Sequence, residues 1–294
     1  MLPEPTIDAT PTPSPTLDAG QRVGRYLVVR RLGDGSHGVV YEAIHEGLGK
    51  RVALKVLHPA AALDPTLRRR FQQEGRAASR VRHPHVVDVS DVGVDGDRVY
   101  LVMELLQGED LATRFAREGR LGVAALVDIL LPVVSAVRAA HEAGVLHRDL
   151  KPANVVITEG PGGVARPVVV DFGISRMDDA ADERLTHARA MLGTPAYMAP
   201  EQLAGEGAVD AKADQYALAV MLYEGSTGER PFQAASLLGL LHEVGYGTPR
   251  TPRTLCPALP AAFEAVVMRA MHRDAGARFD DLRALGRALL PFAS

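Results

Sequence analysis

Apolar and polar positions change their rhythm once along this chain, and the change divides it. From Tyr26 onward, short runs rich in β-branched and aromatic residues, Tyr26 to Leu32, Val39 to Ala43, Arg51 to Leu57 and Val99 to Met103, are separated by Gly or Asp-Gly turns. That pattern predicts an antiparallel sheet. One helix interrupts it, with Asp64 placed as N-cap and Pro65 as first residue, where a missing N–H costs nothing. Leu67, Phe71, Glu74 and Ala78 recur at helical spacing and define its inner stripe. A carboxylate on that stripe is costly to bury unpaired, so Glu74 needs a cationic partner, and Lys55 on the preceding strand is the candidate.

After Gly108 the period becomes helical, over Leu111 to Glu118, Val123 to Ala143, Asp214 to Tyr223, Ser236 to Val244, Pro260 to His272 and Asp280 to Leu290. Pro132 removes one backbone hydrogen bond from the second of these and predicts a kink. The expected class is α+β: a small antiparallel β-sheet lobe with one helix, about 23–105, joined through a hinge to a larger, mainly helical lobe, about 106–294. The first residues are rich in Pro, Thr, Asp and Ala without apolar periodicity, so residues 1–22 are expected to be a disordered leader.

Composition narrows the possibilities. With 294 residues, 47% of them hydrophobic, the chain can bury a sizeable core. A net charge of -3 gives no basic signature for nucleic acid, and no run of like charges suggests a membrane-surface patch. The first twenty residues lack the basic start and apolar run of a signal peptide. The longest apolar stretch, Val123 to Val137, is broken by Asp128 and Pro132 and falls short of the ~20 residues a bilayer needs, so no membrane span is expected. Cys256 is the only cysteine, which excludes an intrachain disulfide and points to a small buried hydrophobe in a reducing, cytoplasmic compartment. Lys50, Lys55, Lys151 and Lys212 are the only lysines; with abundant Arg, Ala, Gly and Val, this fits a GC-rich bacterial genome.

Candidate chemistry concentrates in His147-Arg148-Asp149-Leu150-Lys151-Pro152-Ala153-Asn154, followed by Asp171-Phe172-Gly173. Carboxylates, an amide and a lysine at this spacing suit phosphoryl transfer, which asks a protein mainly to position a nucleophile and neutralise phosphate charge. Gly33-Asp34-Gly35-Ser36-His37-Gly38-Val39-Val40 lies between two predicted strands, where glycines let backbone N–H groups approach phosphates. A dinucleotide-binding turn is the rival reading, but it should open a helix, and Val39 to Ala43 reads as strand. Ala53-Leu54-Lys55 follows on the next strand.

In this order the motifs resemble the protein-kinase superfamily, and within it the eukaryotic-like serine/threonine kinases of bacteria, from about Tyr26 to Leu290. Gly193-Thr194-Pro195-Ala196-Tyr197-Met198-Ala199-Pro200-Glu201 is similar to the family's substrate loop and the end of its activation segment. The resemblance implies a bilobal kinase fold using ATP and Mg²⁺, with Mn²⁺ as a substitute. It makes Asp149 the group that accepts or orients the hydroxyl proton, and sets Lys151 on the γ-phosphate. Asn154 and Asp171 become metal ligands; Lys55, braced by Glu74, holds the α- and β-phosphates. Leu32, Gly33, Gly35, Gly38, Val40, Ala53, Glu104, Leu106 and Asp110 line the nucleotide, Asp110 toward the ribose. Arg278 is implied as the structural partner of Glu201, and Asp214 as the start of the large lobe's central helix.

Lys151 and Thr194 resemble serine/threonine rather than tyrosine kinases, so the implied acceptor is a protein serine or threonine hydroxyl. Arg148 resembles arginines that bind a phosphorylated activation segment, with Thr186 as the candidate phosphosite. The resemblance also allows a kinase-domain homodimer for trans-autophosphorylation. Departures are few: His37 stands at the glycine-loop tip, Ala219 replaces a common glycine, Ala78 is small, and Glu159-Gly160-Pro161-Gly162-Gly163 lengthens a hairpin as a surface extension. A catalytically silent scaffold of the same fold and a small-molecule phosphotransferase are the rival readings.

Overall fold

The computed structural model describes residues 17–35, 38–172, 194–204 and 209–294. The expectations for Ser36, His37, Gly173 and Thr186 lie outside the described residues, as does the leader up to residue 16.

Among the described residues, six strands form one antiparallel sheet: β1 (Arg22–Val23), β2 (Tyr26–Gly35), β3 (Gly38–His45), β4 (Arg51–Leu57), β5 (Val89–Asp95) and β6 (Arg98–Met103), in the order β1-β2-β3-β4-β6-β5. Alternation along the strands separates two faces. Val52, Leu54 and Val56 join Tyr41, Tyr100 and Val102 on the outer face, whereas Ala53, Leu57, Leu101 and Met103 face the main core. Lys55 falls on the inner face by the same alternation and is 3% exposed.

Helix α1 (Pro59–Ala62) leads into α2 (Pro65–Ala78), whose N-cap Asp64 accepts the Thr66 and Leu67 N–H groups at 2.7 and 3.3 Å. Phe71 and Ala78 are buried against the sheet. Gly75 lets the helix come close, since a Cβ there would stand 2.7 Å from side-chain atoms of Leu101 and Val92. Strand β5 has no clear alternation in sequence and was not among the expected strands; its pairing with β6 defines it.

The expected leader boundary at residue 22 needs correction. The Leu17 N–H donates to Tyr41 Oη at 2.9 Å, Gly20 N–H donates to Val28 O at 2.8 Å, and Arg22 and Val23 pair with Leu27 and Tyr26. Residues 17–23 are thus laid along the small lobe.

The large lobe contains a three-stranded sheet of β7 (Gly108–Asp110), β8 (Val155–Glu159) and β9 (Ala165–Val169). Around it lie α3 (Leu111–Glu118), α4 (Val123–Glu142), α5 (Pro200–Ala204), α6 (Ala211–Thr227), α7 (Leu237–Tyr246), α8 (Pro252–Leu255), α9 (Ala261–Ala270) and α10 (Leu282–Leu289). Helix α6 is buried around its circumference, as a helix at the centre of a lobe must be. Helix α4 runs from Val123 to Glu142 with Pro132, the residue expected to kink it, inside it. By length and composition α4 could cross a membrane, but it packs against α6, α10 and β9, with Leu126, Leu130, Val133 and Val137 fully buried. It reads as a core helix.

Candidate active site

The cleft between the lobes gathers side chains from four separate stretches of chain. Lys55, on the inner face of β4, places Nζ 2.7 Å from Asp171 Oδ1, just beyond β9. Burial pushes the Asp171 carboxyl up, but the Lys55 ammonium bonded to it, with His147 and Lys151 nearby, outweighs that and holds it below the usual carboxylate range. The pairing expected for Lys55 was with Glu74, whose backbone lies in α2 but whose side chain is outside the described ones; Asp171 is the partner observed.

The loop between α4 and β8 carries the second half of the site. Lys151 Nζ lies 2.8 Å from Asp149 Oδ2, and the Asn154 amide Nδ2 donates to Asp149 O at 2.8 Å. That donation orients the Asn154 amide and leaves its carbonyl oxygen without a partner among the described residues. Val170 N–H donates to Asn154 O at 2.9 Å, which ties the loop to the residue before Asp171. Arg148 and Asp171 adopt φ of 62° and 57°, the non-glycine residues with positive φ among the described residues. Left-handed backbone at L-residues costs roughly 1–2 kcal/mol each, so the surroundings must impose it.

Asp214 at the start of α6 does much of the imposing. Its carboxylate is 1% exposed and accepts the His147 N–H at 2.8 Å, the Arg148 N–H at 2.7 Å and His141 Nε2–H at 2.7 Å. His147 Nε2–H in turn donates to Val170 O at 3.0 Å, and its ring lies 4.9 Å from that of Phe172. The resemblance implies for Asp214 only a helix start. The overlooked signal was a carboxylate among apolar neighbours in a helix with no solvent face.

Among the residues expected to line a nucleotide, Gly33 pairs with Val40 and Gly35 with Gly38 across β2 and β3. Gly38 has a local reason to be glycine, because a Cβ there would lie 2.2 Å from Val56 O. Ala53 and Met103 are partners in adjacent strands and both buried, while Val40 and Leu106 are half-buried against the same core. Leu32 is more open, at 39% exposure. Glu104, the first residue after β6, donates its N–H to Asp88 O at 2.9 Å. Asp110, expected near a ribose, caps α3: Oδ1 accepts the Thr113 N–H at 2.9 Å and Oδ2 the Thr113 hydroxyl at 2.8 Å.

In the segment expected to form the substrate loop, Thr194 lies in a short 3₁₀ turn, Thr194–Tyr197, with its side chain outside the described ones. Gln202 links this region to the loop by donating to Arg148 O at 3.0 Å. Glu201 and Arg278 form a two-pronged ion pair, Nη1 to Oε1 at 2.7 Å and Nη2 to Oε2 at 2.8 Å. Cys256 is buried, with Arg120 Nη1 donating to its Sγ at 3.1 Å.

The family model described as "protein kinase domain" matches residues 26–244. The chain is 39% identical over 286 residues to serine/threonine-protein kinase Pkn1 of Myxococcus xanthus, covering 96% of this chain and 41% of that protein. It is 38% identical over 277 residues to serine/threonine-protein kinase PknE of Mycobacterium tuberculosis, covering 93% and 48%. It thus spans less than half the length of these curated relatives. The crystal structure of the Mycobacterium tuberculosis PknI kinase domain superimposes with a TM-score of 0.74 at 34% identity, over 95% of this chain and 100% of that one.

Proposed function

The chain belongs to the protein kinase domain family, and from that premise we propose that it transfers the γ-phosphate of Mg·ATP to serine and threonine hydroxyls of protein substrates. The observation that carries this reading is the pair of lysine–carboxylate contacts in one cleft, Lys55 with Asp171 at 2.7 Å and Lys151 with Asp149 at 2.8 Å. Each pair sets a cation for phosphate oxygens beside an acid with its own task, which is what phosphoryl transfer requires.

The donor set suits a hard divalent cation. Asp171 is held ionised and Asn154 keeps an amide oxygen unpartnered among the described residues, and oxygen ligands of this kind fit Mg²⁺, which typically takes one or two protein ligands and completes its shell from phosphate and water. Once bound, the cation would neutralise phosphate charge; the same oxygen ligands would also accept Mn²⁺.

The protein's own groups divide the remaining work. Lys55 turns from Asp171 toward the α- and β-phosphates, and the Glu104 carbonyl and Leu106 N–H read the adenine edge between Val40 and Ala53. Asp149, its main chain fixed by Asn154, accepts or orients the proton of the incoming hydroxyl. Lys151 accompanies the charge moving onto the γ-phosphate. Asp110 reaches the ribose only if it shares its carboxylate with the α3 cap. Arg148, held at its main chain by Asp214 and Gln202, is the proposed receiver of a phosphorylated Thr186.

Incubation with Mg²⁺ and γ-labelled ATP, alone and with a generic basic protein, beside Asp149→Asn, tests the assignment. Labelling by the wild-type chain and a loss of ~10²–10⁴-fold in the variant is expected, with ATP binding retained. Equal labelling by both would reject Asp149, and none by either would return the scaffold reading.

A further inference from the structure

The hinge, residues 104–107, runs between β6 and β7, and both its ends are tied down. At the near end Glu104 N–H is held by Asp88 O at 2.9 Å. At the far end Gly108 pairs with Thr158 and Thr158 with Arg166, so these three residues form one lateral row across β7, β8 and β9. The row is tight: a Cβ on Gly108 would lie 2.0 Å from Ile157 O.

Arg166 then reaches back across the row. Its Nε–H donates to Thr158 Oγ1 at 3.2 Å and its Nη2–H to Glu104 Oε1 at 2.8 Å, while Thr158 Oγ1–H donates to Arg166 O at 3.0 Å. Glu104, the hinge, Gly108, Thr158 and Arg166 therefore close a ring around the segment whose backbone would face adenine. Neither end residue predicts this, since 62 positions separate Glu104 from Arg166.

We propose that Arg166 is a positioning residue of the nucleotide site, which fixes the hinge backbone through Glu104 before the nucleotide arrives. It rests on the reading that the Glu104 carbonyl and Leu106 N–H bind adenine. A backbone ordered in advance loses less freedom on binding, so removing the staple lowers affinity rather than chemistry. The pair is about one-third exposed, with side chains 30% and 39% accessible, so the effect is modest and weakens with salt.

The test uses the full chain, with calorimetric binding of a non-hydrolysable Mg·ATP analogue, binding of base-free tripolyphosphate, and steady-state kinetics. Arg166→Ala and Glu104→Gln should each weaken analogue binding about three- to tenfold. The loss should fall on KM and not on kcat, and the double variant should be no weaker than either single one. Tripolyphosphate binding should not change, and Arg166→Lys should recover part of the loss. Unaltered analogue affinity in Arg166→Ala, an equal loss toward tripolyphosphate, or additive losses in the double variant would each overturn the proposal while leaving the kinase reading intact. A wild-type chain that binds no analogue would overturn both.

Discussion

Asp214 Oδ1 accepts the backbone N–H of Arg148 at 2.7 Å, across 66 positions of sequence, and so holds a residue whose φ of 62° it could not keep unaided. The other oxygen takes the His147 N–H and His141. One buried carboxylate therefore fixes the backbone entering Asp149, and part of the loop's shape is supplied from α6, beside the loop's own bond from Asn154 to Asp149 O.

Asp214→Ala removes every acceptor at once and leaves two inward-facing N–H groups without partners. Destabilisation of about 3–5 kcal/mol is expected, with turnover falling further than that of any surface variant. Asp214→Asn keeps one acceptor oxygen and the volume, so it should lose less stability. Urea unfolding midpoints beside initial rates check the ordering; an Ala variant as stable as wild type would refute it.

Burial pushes the Asp214 carboxyl up, but the His141 hydrogen bond, the His147 and His141 charges and the His147 N–H prevail and hold it below its ordinary range. The unfolded carboxyl titrates near ~3.9. The unfolded chain therefore binds more protons in the window below about pH 4, and stability from this group, complete above it, declines as pH falls through the folded value. Asp171 contributes in the same direction. Thermal unfolding between about pH 6 and 3 should show a shallower acid loss for Asp214→Asn than for wild type. Parallel profiles would remove Asp214 from the account.

What the chain disclosed on first reading follows from range. Lys55, Asp149, Lys151, Asn154 and Asp171 stand at short or ordered spacings whose chemistry is legible without coordinates, and β4 and α3 match their expected limits because Arg51 opens a short apolar run to Leu57 broken only by Lys55 and Asp110 caps Leu111. Asp214 with Arg148, Arg166 with Glu104, and Tyr41 with Leu17 are contacts between residues far apart, and nothing local marks either partner. Strand β5 was missed for the same reason, since Val89–Asp95 is half polar and becomes a strand only by pairing with β6.

Two glycines of one motif should behave differently. At Gly38 a Cβ would meet Val56 O at 2.2 Å and Val56 C at 2.9 Å, so Gly38→Ala must shift strand pairing and should cost about 3 kcal/mol. At Gly33 nothing lies within 4 Å among the described residues, and Gly33→Ala should leave stability within about 0.5 kcal/mol. If phosphates approach this backbone, Gly33→Ala should nonetheless weaken nucleotide binding. Melting curves and calorimetry on the two variants separate the sheet's requirement from the ligand's, and equal destabilisation would contradict the distinction.

Arg278 offers the sharpest contrast between an ion pair and its setting. The residue is 1% exposed and, besides Glu201, its guanidinium donates to His272 O at 2.7 Å, Lys212 O at 2.8 Å and Arg273 O at 3.2 Å, with Tyr216 beneath it at 5.0 Å. A lysine ammonium has three donors and no planar fork, so it cannot serve both carboxylate oxygens and three carbonyls. Arg278→Lys should therefore cost about 2–4 kcal/mol, and Arg278→Met about 3–5 kcal/mol, because the carbonyls lose their donors. Glu201→Gln should cost less, about 1–2 kcal/mol, since its side chain is 26% exposed and the guanidinium keeps its carbonyl partners. Because Glu201 sits in α5 directly after the turn at Thr194–Tyr197, its loss should raise the KM for a peptide substrate more than that for ATP. Denaturant titrations give the energetic order, and a Glu201→Gln variant less stable than Arg278→Met would show that the ion pair, and not the buried carbonyl cage, dominates.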